Sequence, residues 1–144
     1  MWRNQIRALT SEAAFHAGAT DALLASVEQK LELRFPPVLR SVLLESNGVE
    51  GAHGLGLIWS AERILEANLT MRSHPNFAEL YMPFECLLFF ADAGNGDQFA
   101  FTVLRGEFRK DAVFAWNHED DSRTWVVFSF ERYLEWWLDG TIKL

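Results

Sequence analysis

The chain is 144 residues long, 49% hydrophobic and 14% aromatic, with 6 Trp, 12 Phe and a formal net charge of −7. That length suits one domain, and the apolar fraction excludes a disordered chain. A single cysteine, Cys86, excludes a disulfide framework, and no apolar run reaches the roughly 18 residues of a membrane span.

The negative charge is uneven. Residues 1–40 stand near +1, whereas 41–110 and 111–144 each carry −4. Such a surface repels nucleic-acid phosphates and anionic lipid and favours a basic partner. The opening MWRNQIRALTSEAAF lacks a compact apolar h-region, so no secretory signal is expected and the reading is a cytoplasmic protein.

In chain order, residues 1–19 read as an N-terminal arm, with Trp2, Ile6 and Leu9 at helical spacing, ahead of a single domain over 20–144. Leu23, Leu24, Val27 and Leu31 form an apolar helical face that Thr20 or Asp21 can cap. Phe35-Pro36-Pro37 breaks that helix, because proline lacks an N–H and disfavours α at the residue before it. Pro37 suits the first turn of a second helix with the face Val38, Leu39, Val42 and Leu43, closed by Asn47-Gly48. Leu55, Leu57 and Trp59 alternate as a strand. Ser60 then caps a helix with Glu62 in its first turn and Ile64, Leu65 and Leu69 as its face.

Residues 70–85 read as an irregular excursion. Cys86 to Ala91 is a continuous apolar run fit for a strand buried on both faces, with Cys86 expected as a small buried hydrophobe. Gly94-Asn95-Gly96-Asp97 is a hairpin turn leading into a strand with Phe99, Phe101 and Val103. A turn at Arg105-Gly106-Glu107 precedes a strand over 113–116, a polar turn over 117–123 and a strand over 125–128. Ser129 caps a last helix whose face is Phe130, Tyr133, Leu134 and Trp137, and Gly140 ends it. The order predicts an α+β fold, a mostly antiparallel sheet of about four to six strands with helices packed against it. Trp59, Trp116, Trp125, Phe130 and Trp137 are expected in the core, and Trp136 falls off the stripe of the last helix.

Chemistry is sparse. Gly94-Asn95-Gly96-Asp97 places an acid where a P-loop needs lysine and lacks the oxygen pattern of an EF-hand. His118-Glu119-Asp120-Asp121 consists of consecutive turn residues that point apart, so it reads as a solvated acidic turn rather than a metal site. With one Cys and no HExxH helix, zinc has no support, and no Gly-x-Ser-x-Gly elbow is present. No cofactor, metal or catalytic residue is expected.

Several landmarks in this order carry a resemblance: Leu33-Arg34-Phe35-Pro36 after a helix, Glu45-Ser46-Asn47-Gly48, Leu57-Ile58-Trp59-Ser60 and Leu88-Phe89-Phe90-Ala91 before Gly94-Asn95-Gly96-Asp97. Val113-Phe114-Ala115-Trp116 and Phe128-Ser129-Phe130-Glu131-Arg132-Tyr133-Leu134 follow. Over about residues 20–140 this resembles the SMI1/KNR4 (SUKH) superfamily, departing in the doubled Pro36-Pro37 and over 70–85. The resemblance implies helices on an antiparallel sheet and a non-catalytic module. In bacteria it implies an immunity protein that binds and neutralises a cognate toxin, often a nuclease; the alternative is an intracellular scaffold or regulator of endogenous partners. Asp92, Asn95, Asp97, Glu119, Asp120, Asp121 and Trp136 are the candidate contacts to a basic toxin surface. An enzyme would instead need a deep pocket with converging polar groups.

Overall fold

The computed structural model describes residues 1–103 and 112–144; the turn expected at Arg105-Gly106-Glu107 lies outside the described residues. In order the elements are α1 (Trp2–Leu9), β1 (Ala14–Phe15), α2 (Asp21–Leu31), α3 (Pro37–Glu45), β2 (Val49–Glu50), β3 (Gly56–Ile58) and α4 (Ala61–Ser73). Then follow α5 (Pro75–Leu80), β4 (Leu87–Asp92), β5 (Gln98–Thr102), β6 (Val113–Trp116), β7 (Arg123–Val127) and α6 (Phe130–Leu138). The fold is α+β with antiparallel pairing throughout, and the strands divide into a three-stranded sheet β1-β2-β3 and a four-stranded sheet β4-β5-β6-β7. The Trp59 N–H donates to the Phe90 carbonyl at 2.8 Å and stitches the end of β3 to β4.

The helical hairpin forms as its sequence dictates. The Thr20 hydroxyl accepts from Leu23 N–H, and Pro37 opens α3. Between them Glu28 receives the Phe35 N–H at 2.7 Å and Arg40 Nη1 at 2.8 Å, which fixes the proline break. Asn47-Gly48 does not close α3 as expected, because the helix stops at Glu45 with Ser46 as an extended C-cap; the pair acts on the next helix instead. The Asn47 side chain accepts from Ala61 N–H and donates to Glu62, so it helps to cap α4 (2.8 and 2.7 Å). Gly48, at φ 94°, lies against the Ser60 backbone, where a Cβ would come within 2.9 Å.

The arm is α1, which lies on α3 and α6. Trp2 and Ile6 are buried, Trp2 Nε1 donates to Ser41 Oγ at 2.9 Å, and Glu45 accepts the Trp2 N–H. Burial pushes the Glu45 carboxyl up, but hydrogen bonds from Trp2, the N-terminal ammonium and Arg3 outweigh it and hold its pKa below the ordinary value.

Residues 70–85 correct the expectation of an irregular excursion. Helix α4 continues to Ser73 with Met71 buried, and Pro75 opens α5, where His74 Nδ1 accepts from Asn76 N–H at 3.2 Å. The inward face of α4 is Ala61, Ile64, Asn68 and Met71, while Leu69 is exposed. Asn68 takes a core position because its amide serves strand β4: Oδ1 accepts the Phe89 N–H and Nδ2 donates to the Phe89 and Ile64 carbonyls (2.9, 2.9 and 2.7 Å). Next to it the β4–β5 register shifts between Phe89 and Ala91, where a ladder loses pairing.

Three further expectations are corrected. Cys86 is exposed, since the buried run begins at Leu87. Trp125 is 53% exposed because, on the edge strand β7, it lies past the Tyr81 and Phe84 rings that cover Trp116. Trp137 is only partly buried; it meets Phe99 edge-on near the end of α6. Trp59, Trp116 and Phe130 lie in the core as expected.

Candidate functional site: the acidic turns at one end of the sheet

The β4–β5 and β6–β7 turns meet at one end of the four-stranded sheet and bring together the acidic candidates. In the first, Gly94 and Gly96 take φ values of 97° and 91°, and Asn95 Oδ1 accepts the Asp97 N–H at 3.1 Å. The positive φ favours glycine at 96, and the fit is close as well, since a Cβ there would lie 3.0 Å from the His118 ring. Asp97, 7% exposed, bridges the turns: its Oδ1 accepts the His118 N–H at 3.1 Å and meets His118 Nδ1 at 2.7 Å.

The second turn is tied from within. Asn117 Oδ1 accepts from Glu119 N–H, and Asp120 Oδ1 accepts from Ser122 N–H (2.8 and 2.9 Å). The Ser122 hydroxyl and N–H hold the Asp120 pKa below the ordinary carboxylate value. Asp121, at φ 61°, turns inward. Its Oδ1 accepts Trp116 Nε1 at 2.8 Å and Arg123 Nη2 at 3.1 Å, and its Oδ2 accepts the Met82 N–H at 2.8 Å. Burial pushes the Asp121 carboxyl up, yet these bonds to Met82, Trp116 and Arg123 bring its pKa below the ordinary value.

The candidates therefore separate by role. Asp97 and Asp121 are tied into the fold. Asp92, at the end of β4, receives Arg63 Nη2 at 3.1 Å, and that guanidinium lies 4.7 Å over the Trp59 ring. Asn95 holds its own turn. Glu119 and Asp120 stand exposed at the tip, with no cation paired to either carboxylate among the described residues. Trp136 lies on α6 rather than on the turns, half-buried, with the Arg132 guanidinium 5.7 Å from its ring.

Sequence reasoning named His118 only as part of an acidic turn, not as the bridge to Asp97, and missed two more residues that organise this end: Tyr81, whose hydroxyl donates to the His118 carbonyl at 2.8 Å, and Arg123. Arg123 donates to the Met82 and Pro83 carbonyls at 2.9 Å each and lies 4.9 Å over the Phe84 ring. An arginine beside an aspartate run was the one available signal, and it does not name its partners.

Nearby, a groove of about 340 Å3 is lined by Arg63, Glu66, Ala67, Thr70, Met71, Phe77 and Gln98, without His or Cys. Among the described residues no group of three or more His, Cys, Asp or Glu side chains gathers as metal ligands would, and no helix is long and apolar enough to cross a membrane. A comparison with curated proteins found no match. The family model described as SMI1-KNR4 cell-wall matches residues 21–134, from the start of α2 into α6 and across both acidic turns. With that match covering most of the chain, the protein belongs to the SMI1-KNR4 (SUKH) family.

Proposed function

We propose that the protein is a non-catalytic binding module of the immunity type, which neutralises a toxin by covering a basic surface on it. The observation that carries this reading is the β6–β7 turn, where Glu119 and Asp120 project from a frame fixed by Asn117, Asp121 and Ser122. A turn whose backbone is already fixed gives up little conformational freedom when it meets a cationic surface. If the toxin is a nuclease, they occupy the ground that substrate phosphates otherwise hold. Family membership and the net charge of −7 support the reading. Asp92, Asn95, Asp97 and Asp121 serve it by shaping the turns, and Trp136 stands as a separate candidate contact.

The experiment is co-expression with the product of the adjoining gene, scored for growth rescue and co-purification. Rescue with a stable complex is expected; a toxic neighbour that is neither bound nor relieved would sink the reading. Within such a complex, combined E119Q and D120N should slow association by roughly three- to tenfold and flatten its salt dependence, since exposed charges act mainly on the encounter rate. Dissociation should change less.

A further inference from the structure

Exposed apolar side chains stand beside the acidic turn, on the sheet face opposite α6. Tyr81 and Phe84 turn inward, with ring centroids 5.2 and 5.5 Å from Trp116. Their neighbours consequently face solvent: Leu80 is 68% and Met82 67% exposed. Arg123 clamps this segment to the edge strand β7 through the Met82 and Pro83 carbonyls. Two residues further along β7, Trp125 shares the sheet face of Arg123, because strand side chains alternate. It stands opposite Phe114, beyond the reach of the cover that buries Trp116.

Exposed carboxylates border this surface. Glu79 and Glu85 flank it along the chain, while Glu119 and Asp120 project from the turn that Tyr81 and Asp121 join to it. The nearby cations are spent inward: Arg123 as above, and Arg72 on the Leu31 and Leu87 carbonyls at 3.3 and 2.9 Å. Among the described residues, the outward charge here is negative and the centre is apolar. A second copy docking face to face would bring the carboxylate rims together, so self-association is disfavoured.

We infer that this face docks a partner-protein segment carrying lysine or arginine beside exposed aliphatic or aromatic side chains. The inference rests on the protein-binding reading above and gives it a surface: Trp125 and Met82 anchor, and Glu79, Glu85, Glu119 and Asp120 select the charge. Desolvated aromatic anchors set the dissociation rate, and rim charges set encounter and specificity.

The test is NMR titration of the full chain with three synthetic peptides of equal length: one alternating Lys and Leu, one with Glu for Lys, and one with Ser for Leu. The Lys–Leu peptide is expected to shift the Trp125 indole N–H and the Met82 methyl. W125A and M82A should each weaken its binding by about tenfold, as anchor truncations do. The Glu peptide should leave both signals unmoved, and the Ser peptide should bind at least about tenfold more weakly, as loss of the apolar anchors requires. Both substituted side chains are exposed, and an unchanged melting temperature verifies that each variant folds. Shifts confined to other faces, equal binding of the three peptides, no binding, or concentration-dependent dimerisation through Trp125 would each overturn the inference. Growth rescue judges the immunity reading separately, so either conclusion can fail while the other stands.

Discussion

On one face of the four-stranded sheet, Phe90, Phe99 and Phe101 meet Phe130 and Tyr133 of α6; on the other, Phe89 and Trp116 meet Tyr81 and Phe84 of the segment after α5. The α6 cover brings its own satisfied backbone, so ring packing attaches it, assisted by the Tyr133 hydroxyl donating to the Leu57 carbonyl at 2.8 Å. The 81–86 segment has no helix or strand of its own. Its exposed backbone is held instead by side chains of the β6–β7 turn, with Asp121 accepting the Met82 N–H and Arg123 donating to the Met82 and Pro83 carbonyls. Both faces pack rings, but the second adds a charged frame, and that frame holds the acidic turn at the surface.

The largest expected effect separates the two faces by packing. Phe99→Ala, deep under α6, should cost about 3–5 kcal/mol in chemical denaturation, the range for a large core truncation. A loss below 1 kcal/mol would mean that the α6 face is not the principal core. Trp59→Ala belongs to the same class, whereas half-buried Trp137 should cost clearly less.

Asp121→Asn probes the other face: an amide keeps one acceptor oxygen, so either the Met82 N–H or the Trp116 and Arg123 donors lose theirs, at roughly 1.5–3 kcal/mol. Its pKa is depressed in the fold, so its contribution is present above the unfolded value, about 4, and is lost as pH falls through the lower folded value. The variant should flatten the acid limb of stability against pH; an unaltered limb would place the acid sensitivity elsewhere.

Tyr133→Phe gives the opposite signature. Burial, with the Asp92 charge adding to it, raises the Tyr133 pKa well above its ordinary value. Its neutral form stabilises the fold below the unfolded value, about 10, and that stability is lost as pH rises further. The substitution should cost about 1–2 kcal/mol at neutral pH by stranding the Leu57 carbonyl and should lessen the alkaline loss. The smallest effect belongs to E119Q with D120N, which should stay within about 0.5 kcal/mol of the parent, as exposed substitutions do. A larger loss in a thermal melt would make that turn structural.

Legibility in the sequence follows the same division. β4 announced itself as a continuous apolar run, β5 by alternating large apolar residues, and helix α6 by apolar residues every third to fourth position. The two-residue strands β1 and β2 are too short to show a period. Helix α5 was hidden because its N-terminal cap is a histidine and its exposed Leu80 blurs the apolar face. At the site, the acidic turn was visible as a run of letters. Which carboxylates point outward was not, because Asp120 and Asp121 are adjacent and chemically alike yet differ by a backbone turn into positive φ.

The amino-acid order by itself determined the class of fold, the proline break between α2 and α3, the β4–β5 and β6–β7 turns and the sign of the charge, since these depend on periodicity, local dihedral preference and composition. Tertiary structure alone decided that Asn68 belongs in the core, that Asp97 and Asp121 face inward, and that Trp125 stands uncovered. Each of those outcomes depends on what a distant segment places beside the residue, and hydrogen-bond satisfaction and burial are properties of neighbours in space rather than neighbours in sequence.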